Sequence, residues 1–258
     1  MSDKLKNMTI RAITGTIFVA AVVTCFLRPE AMMFLFALVT ALSVWEFTGL
    51  VNNSGDVRVN RFICTVAGVY LFLAFAGFCS GITPAAVFIP YLLTVVYLFI
   101  SELYTKAPNP INNWAYTMLS QMYIALPFSM INVVAFHSTG DAHVYDYLLP
   151  LSIFIFLWTN DTGAYISGSL LGRHKLFPRV SPGKSWEGSI GGGLLVLAVA
   201  ALVGYLANSS EGGHTLSIPA WMGLGLVVVF FGTWSDLVES LFKRTLGIKD
   251  SGRILPGH

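Results

Sequence analysis

The chain has 258 residues, of which 55% are hydrophobic and only 11% charged, with a formal net charge of +2 and a mean hydropathy of +0.70. A water-soluble domain carries about 25% charged residues, so this composition excludes a soluble globular protein and makes the bilayer the solvent. In such a chain the placement of charge matters more than its sum, and no nucleic-acid partner is expected.

A spanning helix needs about 20 mostly apolar residues. That rule predicts eight membrane helices, at 9–27, 31–51, 62–80, 84–102, 113–136, 147–160, 186–207 and 218–238. Lys4, Lys6 and Arg11 precede the first in the manner of a signal peptide. The run is long enough to span and further apolar runs follow it, so a retained first helix is expected. The sixth segment is short and ends at Asn160-Asp161, which predicts a helix that is broken or enters a polar cavity. Cys25, Cys64 and Cys79 lie inside apolar runs without metal-ligand spacing and are read as packing residues. His137, Asp141, His143 and Asp146 share a loop but lack helix-fixed spacing, so a solvated loop is expected rather than a metal site. The tryptophans fall mostly near predicted helix ends, as interfacial anchors do.

Charge placement predicts the orientation. With both termini cytoplasmic, 14 of the 15 Lys and Arg residues fall on the inside and only Arg28 on the outside. Cytoplasmic loops are enriched in Lys and Arg. The expected fold is therefore all-α: a polytopic integral membrane protein of about eight transmembrane helices, both ends inside. It forms a single domain, with residues 1–146 mainly scaffold and 147–258 carrying the site.

Three polar clusters gather on the expected cytoplasmic side. The first is Asn160–Gly168, where Asp161 sits at the end of an apolar run and Tyr165 would share its face on a helix. The second is "SPGKSWEGSIGGG", from Ser181 to Gly193. Pro182 and Gly183 predict a turn there, and Lys184 beside the first backbone N–H groups of the next helix predicts an anion seat. A P-loop is excluded, because Pro178 stands where that motif requires glycine. Gly191, Gly192 and Gly193 would allow close helix packing. In the third cluster, Asp236, Glu239 and Lys243 follow helical spacing along one face, with Ser240 and Arg244 beside them. Carboxylates emerging from a run of Val, Phe and Leu need a partner, and a divalent cation carrying phosphates is a natural one. Residue chemistry alone thus reads as a membrane-embedded site for an anionic, phosphorylated substrate.

These clusters resemble the phosphatidate cytidylyltransferase (CDP-diacylglycerol synthase) family. The resemblance runs across most of the chain and is dense from Asp161 onward. The block from Asn160 to Gly192 is similar to the family's middle block almost throughout. The ending resembles the signature S-x-x-K-R-x₄-K-D-x-G-x₂-L-P-x-H-G-G, filled by Ser240, Lys243, Arg244, Lys249, Asp250, Gly252, Ile254, Leu255, Pro256 and His258. Ser235 stands before Asp236 where the family usually has glycine. The chain stops at His258, before the signature's Gly-Gly, its D-R-x-D pair and a final membrane helix, so a truncated form is expected.

The resemblance implies transfer of a cytidylyl group from CTP to phosphatidic acid, giving CDP-diacylglycerol and pyrophosphate, with Mg²⁺ as cofactor. It implies metal-holding or metal-orienting roles for Asp161, Asp236, Glu239 and Asp250. Phosphate-binding roles go to Lys184, Lys243, Arg244 and Lys249. Ser181, Ser185 and Ser240 would donate to phosphates or cap helices, and Glu187 would orient Lys184. Tyr165, Gly183 and His258 complete the substrate contacts. A multi-pass protein of the bacterial inner membrane, with its site toward the cytoplasm and a possible homodimer, follows from the same likeness. The alternatives are a catalytically silent truncated relative, a CTP-dependent lipid kinase and a secondary transporter. The one-sided placement of the polar groups and the unlike halves weigh against the last.

Overall fold

A computed structural model describes residues 3–53, 55, 57–139, 142–209 and 216–248. Helices stand at all eight positions that apolar length predicts. They are α1 (Asp3–Phe26), α2 (Pro29–Asn52), α3 (Arg61–Cys79), α4 (Ile89–Thr105, entered through a 3₁₀ turn at Ala85–Phe88), α5 (Pro110–Leu119), α6 (Leu126–Ala135), α7 (Leu148–Leu171), α8 (Trp186–Ser209) and α9 (Ile218–Thr245). α5 and α6 form one rod through a π-helical stretch, Ser120–Ala125. Pro127 lies just past it, and a proline ring crowds the carbonyl four residues back and removes a donor. A wider turn absorbs that conflict.

Among the described residues, six of these rods are long and apolar enough to cross a membrane: α2, α3, Ala85–Thr105, Pro110–Ala135, α8 and α9. The chain is a multi-pass, all-α membrane protein, with two short hairpins as its only described strands. In α1 the apolar stretch found is Thr14–Phe26.

α7 departs from expectation. Instead of stopping at Asn160-Asp161 it runs unbroken for 24 residues to Leu171. Polar side chains lower hydropathy without breaking backbone hydrogen bonds, and no proline follows until Pro178. The predicted loop 161–185 shrinks accordingly to a hairpin of β3 (Lys175–Phe177) and β4 (Ser181–Ser185).

The chain divides into two compact units, at residues 150 and 151. In the first, α2 and α3 pack with the Pro110–Ala135 rod around Val44, Met32, Phe36, Cys64 and Phe72. Buried polar side chains join these helices. Gln121 Nε2 donates to the Cys64 carbonyl of α3 at 3.0 Å, while buried Asn132 satisfies its Nδ2 within α6, on the Ser129 carbonyl at 3.0 Å. The hairpin of β1 (Phe136–Thr139) and β2 (Ala142–Tyr145) closes this unit's other end. There Asp146 Oδ1 accepts from Leu148 N at 2.7 Å, and a ring nitrogen of His143 bonds the Cys79 carbonyl at 2.9 Å. Asp141 lies outside the described residues. The three cysteines are free.

In the second unit α7, α8 and α9 pack by close approach. A Cβ on Gly192 would lie 2.7 Å from the Asn160 carbonyl oxygen, and one on Gly188 would lie 2.9 Å from that of Ala164. The glycine-rich start of α8 thus lets two backbones touch, as small residues do between membrane helices. Trp221 is fully buried against Gly204, so it is a core residue rather than the interfacial anchor its position suggested.

Candidate functional site

The described site residues all belong to the second unit. Asp161 is exposed on α7, one turn before Tyr165, which is also exposed. The continuous helix places both on one face. Asp161 lies within electrostatic reach of Asp236 and Lys184.

Ser181–Ser185 is not the turn that Pro182 and Gly183 suggested. It is an extended strand, paired antiparallel with β3 in the register Lys175↔Ser185 and Phe177↔Ser181. Proline is tolerated in a two-stranded ribbon where its missing N–H faces outward. The reversal falls one step earlier, where Val180 N donates to the Phe177 carbonyl at 3.2 Å. The extended backbone carries Lys184 to α9, where its ammonium forms an ion pair with Asp236 Oδ2. The Phe177 ring meets Trp234 edge-on at 5.8 Å, so β3 touches α9 as well.

The start of α8 is already satisfied by the protein itself. Ser185 Oγ accepts from Gly188 N at 3.2 Å as an N-cap, and Trp186 N donates to the His174 carbonyl at 2.9 Å. The expected backbone anion seat is therefore closed at these two positions, and Lys184 supplies the positive charge instead. Glu187 does not orient Lys184. Its carboxylate accepts from Arg173 N and His174 N, at 3.2 Å each, and meets the His174 ring at 2.5 Å. These contacts lock the base of the hairpin to the first turn of α8. Sequence spacing missed this lock and the Phe177–Trp234 contact, because both partners in each lie far apart in the chain. An acidic residue in the first turn of α8 was the one available signal.

On α9 the predicted stripe is present. Lys243 Nζ pairs with Glu239 Oε1 at 2.7 Å across one turn, beside exposed Arg244 and half-buried Ser240. The helix ends in a left-handed glycine, Gly247 (φ 69°), with Ile248 N donating to the Lys243 carbonyl at 2.9 Å. That arrangement is a glycine C-cap. Lys249, Asp250 and His258 lie outside the described residues.

As a site for a hard cation the described donor set is small but suitable. No group of three or more His, Cys, Asp and Glu side chains gathers among the described residues. Mg²⁺ commonly takes only one or two carboxylates and fills its other positions with water and substrate phosphates. Asp161 and Asp236 would meet that requirement, with the Lys184 ammonium beside them.

Charged side chains of α7, β4 and α9 thus gather in one unit of a multi-pass membrane protein, with Lys184 paired to Asp236 and Asp161 within electrostatic reach of both. Comparison with known proteins makes the class specific. The Cytidylyltransferase family matches residues 9–258. A "Phosphatidate cytidylyltransferase" of Haemophilus influenzae is 31% identical over 262 aligned residues, covering 96% of this chain and 90% of the relative. Proteins of the same description from Staphylococcus aureus and Staphylococcus haemolyticus are each 29% identical over 252 residues, covering 97% of this chain and 91% of theirs. The chain belongs to the Cytidylyltransferase family and is an enzyme of that family.

Proposed function

We propose that this protein transfers the cytidylyl group of CTP to phosphatidic acid, giving CDP-diacylglycerol and pyrophosphate. The observation that carries the reading is the Lys184–Asp236 ion pair, which joins the "SPGKS" strand to the carboxylate stripe of α9. Family membership and the three relatives' shared description support it.

In the reaction, a phosphate oxygen of the lipid attacks the α-phosphorus of CTP. The bond from that phosphorus to the bridging oxygen breaks, and pyrophosphate leaves with the electron pair. The lipid phosphate is already ionised near neutral pH, so the attack needs no strong base. Rate comes from alignment and from neutralising charge on the triphosphate. Lys184 and Lys243 are held at rest by Asp236 and Glu239. On this reading the triphosphate takes over the two ammonium groups and releases the two carboxylates. Arg244 stands beside Lys243 as a further phosphate partner, Lys249 would extend this set, and Tyr165 lies on the Asp161 face. Asp161 and Asp236 would hold Mg²⁺, with Glu239 and Asp250 as supporting carboxylates, and the bound ion would offset charge on the phosphates. Ser185 acts through the α8 cap rather than on phosphate, and Glu187 acts by bracing the hairpin.

The relatives are bacterial, CTP is a cytosolic solute, and the chain's basic residues divide unevenly between its loops. These points support placement in the bacterial cytoplasmic membrane with the site facing the cytosol. The test is incubation of purified protein with CTP, phosphatidic acid and Mg²⁺, with and without EDTA. CDP-diacylglycerol is expected only without the chelator, and Asp236→Asn is expected to abolish it while the protein stays folded. A fully active Asp236→Asn variant would remove that residue from the mechanism.

A further inference from the structure

The first unit contains a cavity of about 490 Å³ between the 57–60 segment and the end of α4, lined by Arg58, Asn60, Tyr97, Ser101, Glu102 and Tyr104 among others. Its size falls within the roughly 300–1,000 Å³ of ordinary small-molecule sites. The cavity holds two opposite charges that do not pair. Arg58 and Glu102 both line it, yet no ion pair joins them among the described residues.

A buried side chain keeps the two walls in place. Asn113 is fully buried. Its Oδ1 accepts from Arg58 N at 2.7 Å, and its Nδ2 donates to Glu102 Oε2 at 3.0 Å. Thr105 Oγ1 adds a second bond to the same Glu102 oxygen at 3.3 Å. Among the described residues the other carboxylate oxygen, Oε1, has no such bond and is left to accept from a ligand. The Asn60 Oδ1 is spent capping α3, at 3.1 Å from Ile63 N, which leaves its amide N–H groups as donors. Arrangement before binding lowers the ordering cost that a ligand must meet.

The surroundings indicate which ligand. Only 6% of the apolar window of Ala85–Thr105 is buried within the protein, so most side chains of this rod stay at least partly open to lipid. Tyr104, exposed in the last turn of α4, stands where aromatic side chains meet the headgroup layer, and Tyr97, exposed two turns earlier, adds a second ring face that attracts cations. The C-terminal carbonyls of α4 add partial negative charge near Glu102. We infer that this cavity binds the headgroup of a zwitterionic aminophospholipid, with its ammonium at Glu102 and the tyrosines and its phosphate at Arg58 and Asn60. A lipid carrying only negative charge would face the Glu102 carboxylate. A quaternary ammonium could not donate hydrogen bonds to it.

Native mass spectrometry of the detergent-solubilised full chain tests this, with equal amounts of phosphatidylethanolamine, phosphatidylcholine and phosphatidylglycerol added. The expected result is retention of phosphatidylethanolamine roughly tenfold above the other two, the worth of one charge-assisted hydrogen bond. That preference should be lost in both Glu102→Gln and Arg58→Ala. Arg58 is exposed and contributes only its backbone N–H to the Asn113 contact, so the second variant keeps the fold even if the first does not. Equal retention of the three lipids would overturn the inference. So would a preference that survives Arg58→Ala, or displacement of the lipid by an equal concentration of soluble phosphoethanolamine.

Discussion

Lys184→Met separates a catalytic ion pair from a structural one. The Lys184 side chain is 29% exposed and that of Asp236 51%. An ion pair this open to water contributes about 0.2–1 kcal/mol to stability after screening. For a chain of this size, about 1 kcal/mol moves Tm by roughly 2–4 °C. Loss of a positioned charge on a transferring phosphate costs far more, about 10²–10³ in turnover. Lys184→Met should therefore lower Tm by no more than about 4 °C and lower CTP-dependent lipid turnover at least a hundredfold. The two readouts are nanoscale fluorimetry in detergent and product formation in mixed micelles. Adding Asp236→Asn to Lys184→Met should cost much less than the two single losses combined, because both side chains serve one unit. Turnover within about threefold of the original chain would refute the reasoning. A Tm drop large enough to explain the lost activity would refute it equally.

Three further variants probe the packing of the second unit. Glu187→Ala removes the acceptor of Arg173 N, His174 N and the His174 ring, so trypsin should cut at Arg173, Lys175 or Arg179 several-fold faster, with unchanged cleavage speaking against the brace. Gly192→Leu should leave no folded monodisperse protein on fluorescence-detected size exclusion, since a Cβ alone would meet the Asn160 carbonyl at 2.7 Å; Gly223→Ala, with nothing within 4 Å, should fold as well as the original chain or gain up to about 1 kcal/mol of helix propensity.

The rods of this fold were legible because apolar length is a one-dimensional property, and all eight predicted segments coincide with helices. The extent of α7 was not legible. Asn160 and Asp161 weaken the hydropathy signal, whereas helix continuation depends on the backbone, which nothing interrupts before Gly172. The carboxylate stripe of α9 was legible for the same reason as the rods: Asp236, Glu239 and Lys243 follow the helical period, and the Glu239–Lys243 pair is in place.

What periodicity misses is which side chain a residue meets from elsewhere in the chain. Lys184 was expected beside Glu187, its near neighbour, but the strand conformation of Ser181–Ser185 sends it 52 positions along the chain to Asp236. Strand conformation itself was hidden, since Pro182 and Gly183 are strong turn formers in isolation. Only a two-stranded ribbon with a free edge accepts them in extended form. Glu187 in turn is claimed by His174, a residue that its spacing did not single out.

Following phosphorus from CTP tests the central claim most directly. Purified protein in mixed micelles with phosphatidic acid and Mg²⁺ receives CTP labelled with ³²P at the α position in one reaction and at the γ position in another. A cytidylyl transfer predicts α label in the lipid fraction as CDP-diacylglycerol, with γ label released as pyrophosphate. γ label in the lipid, or no label from either position, would contradict the account.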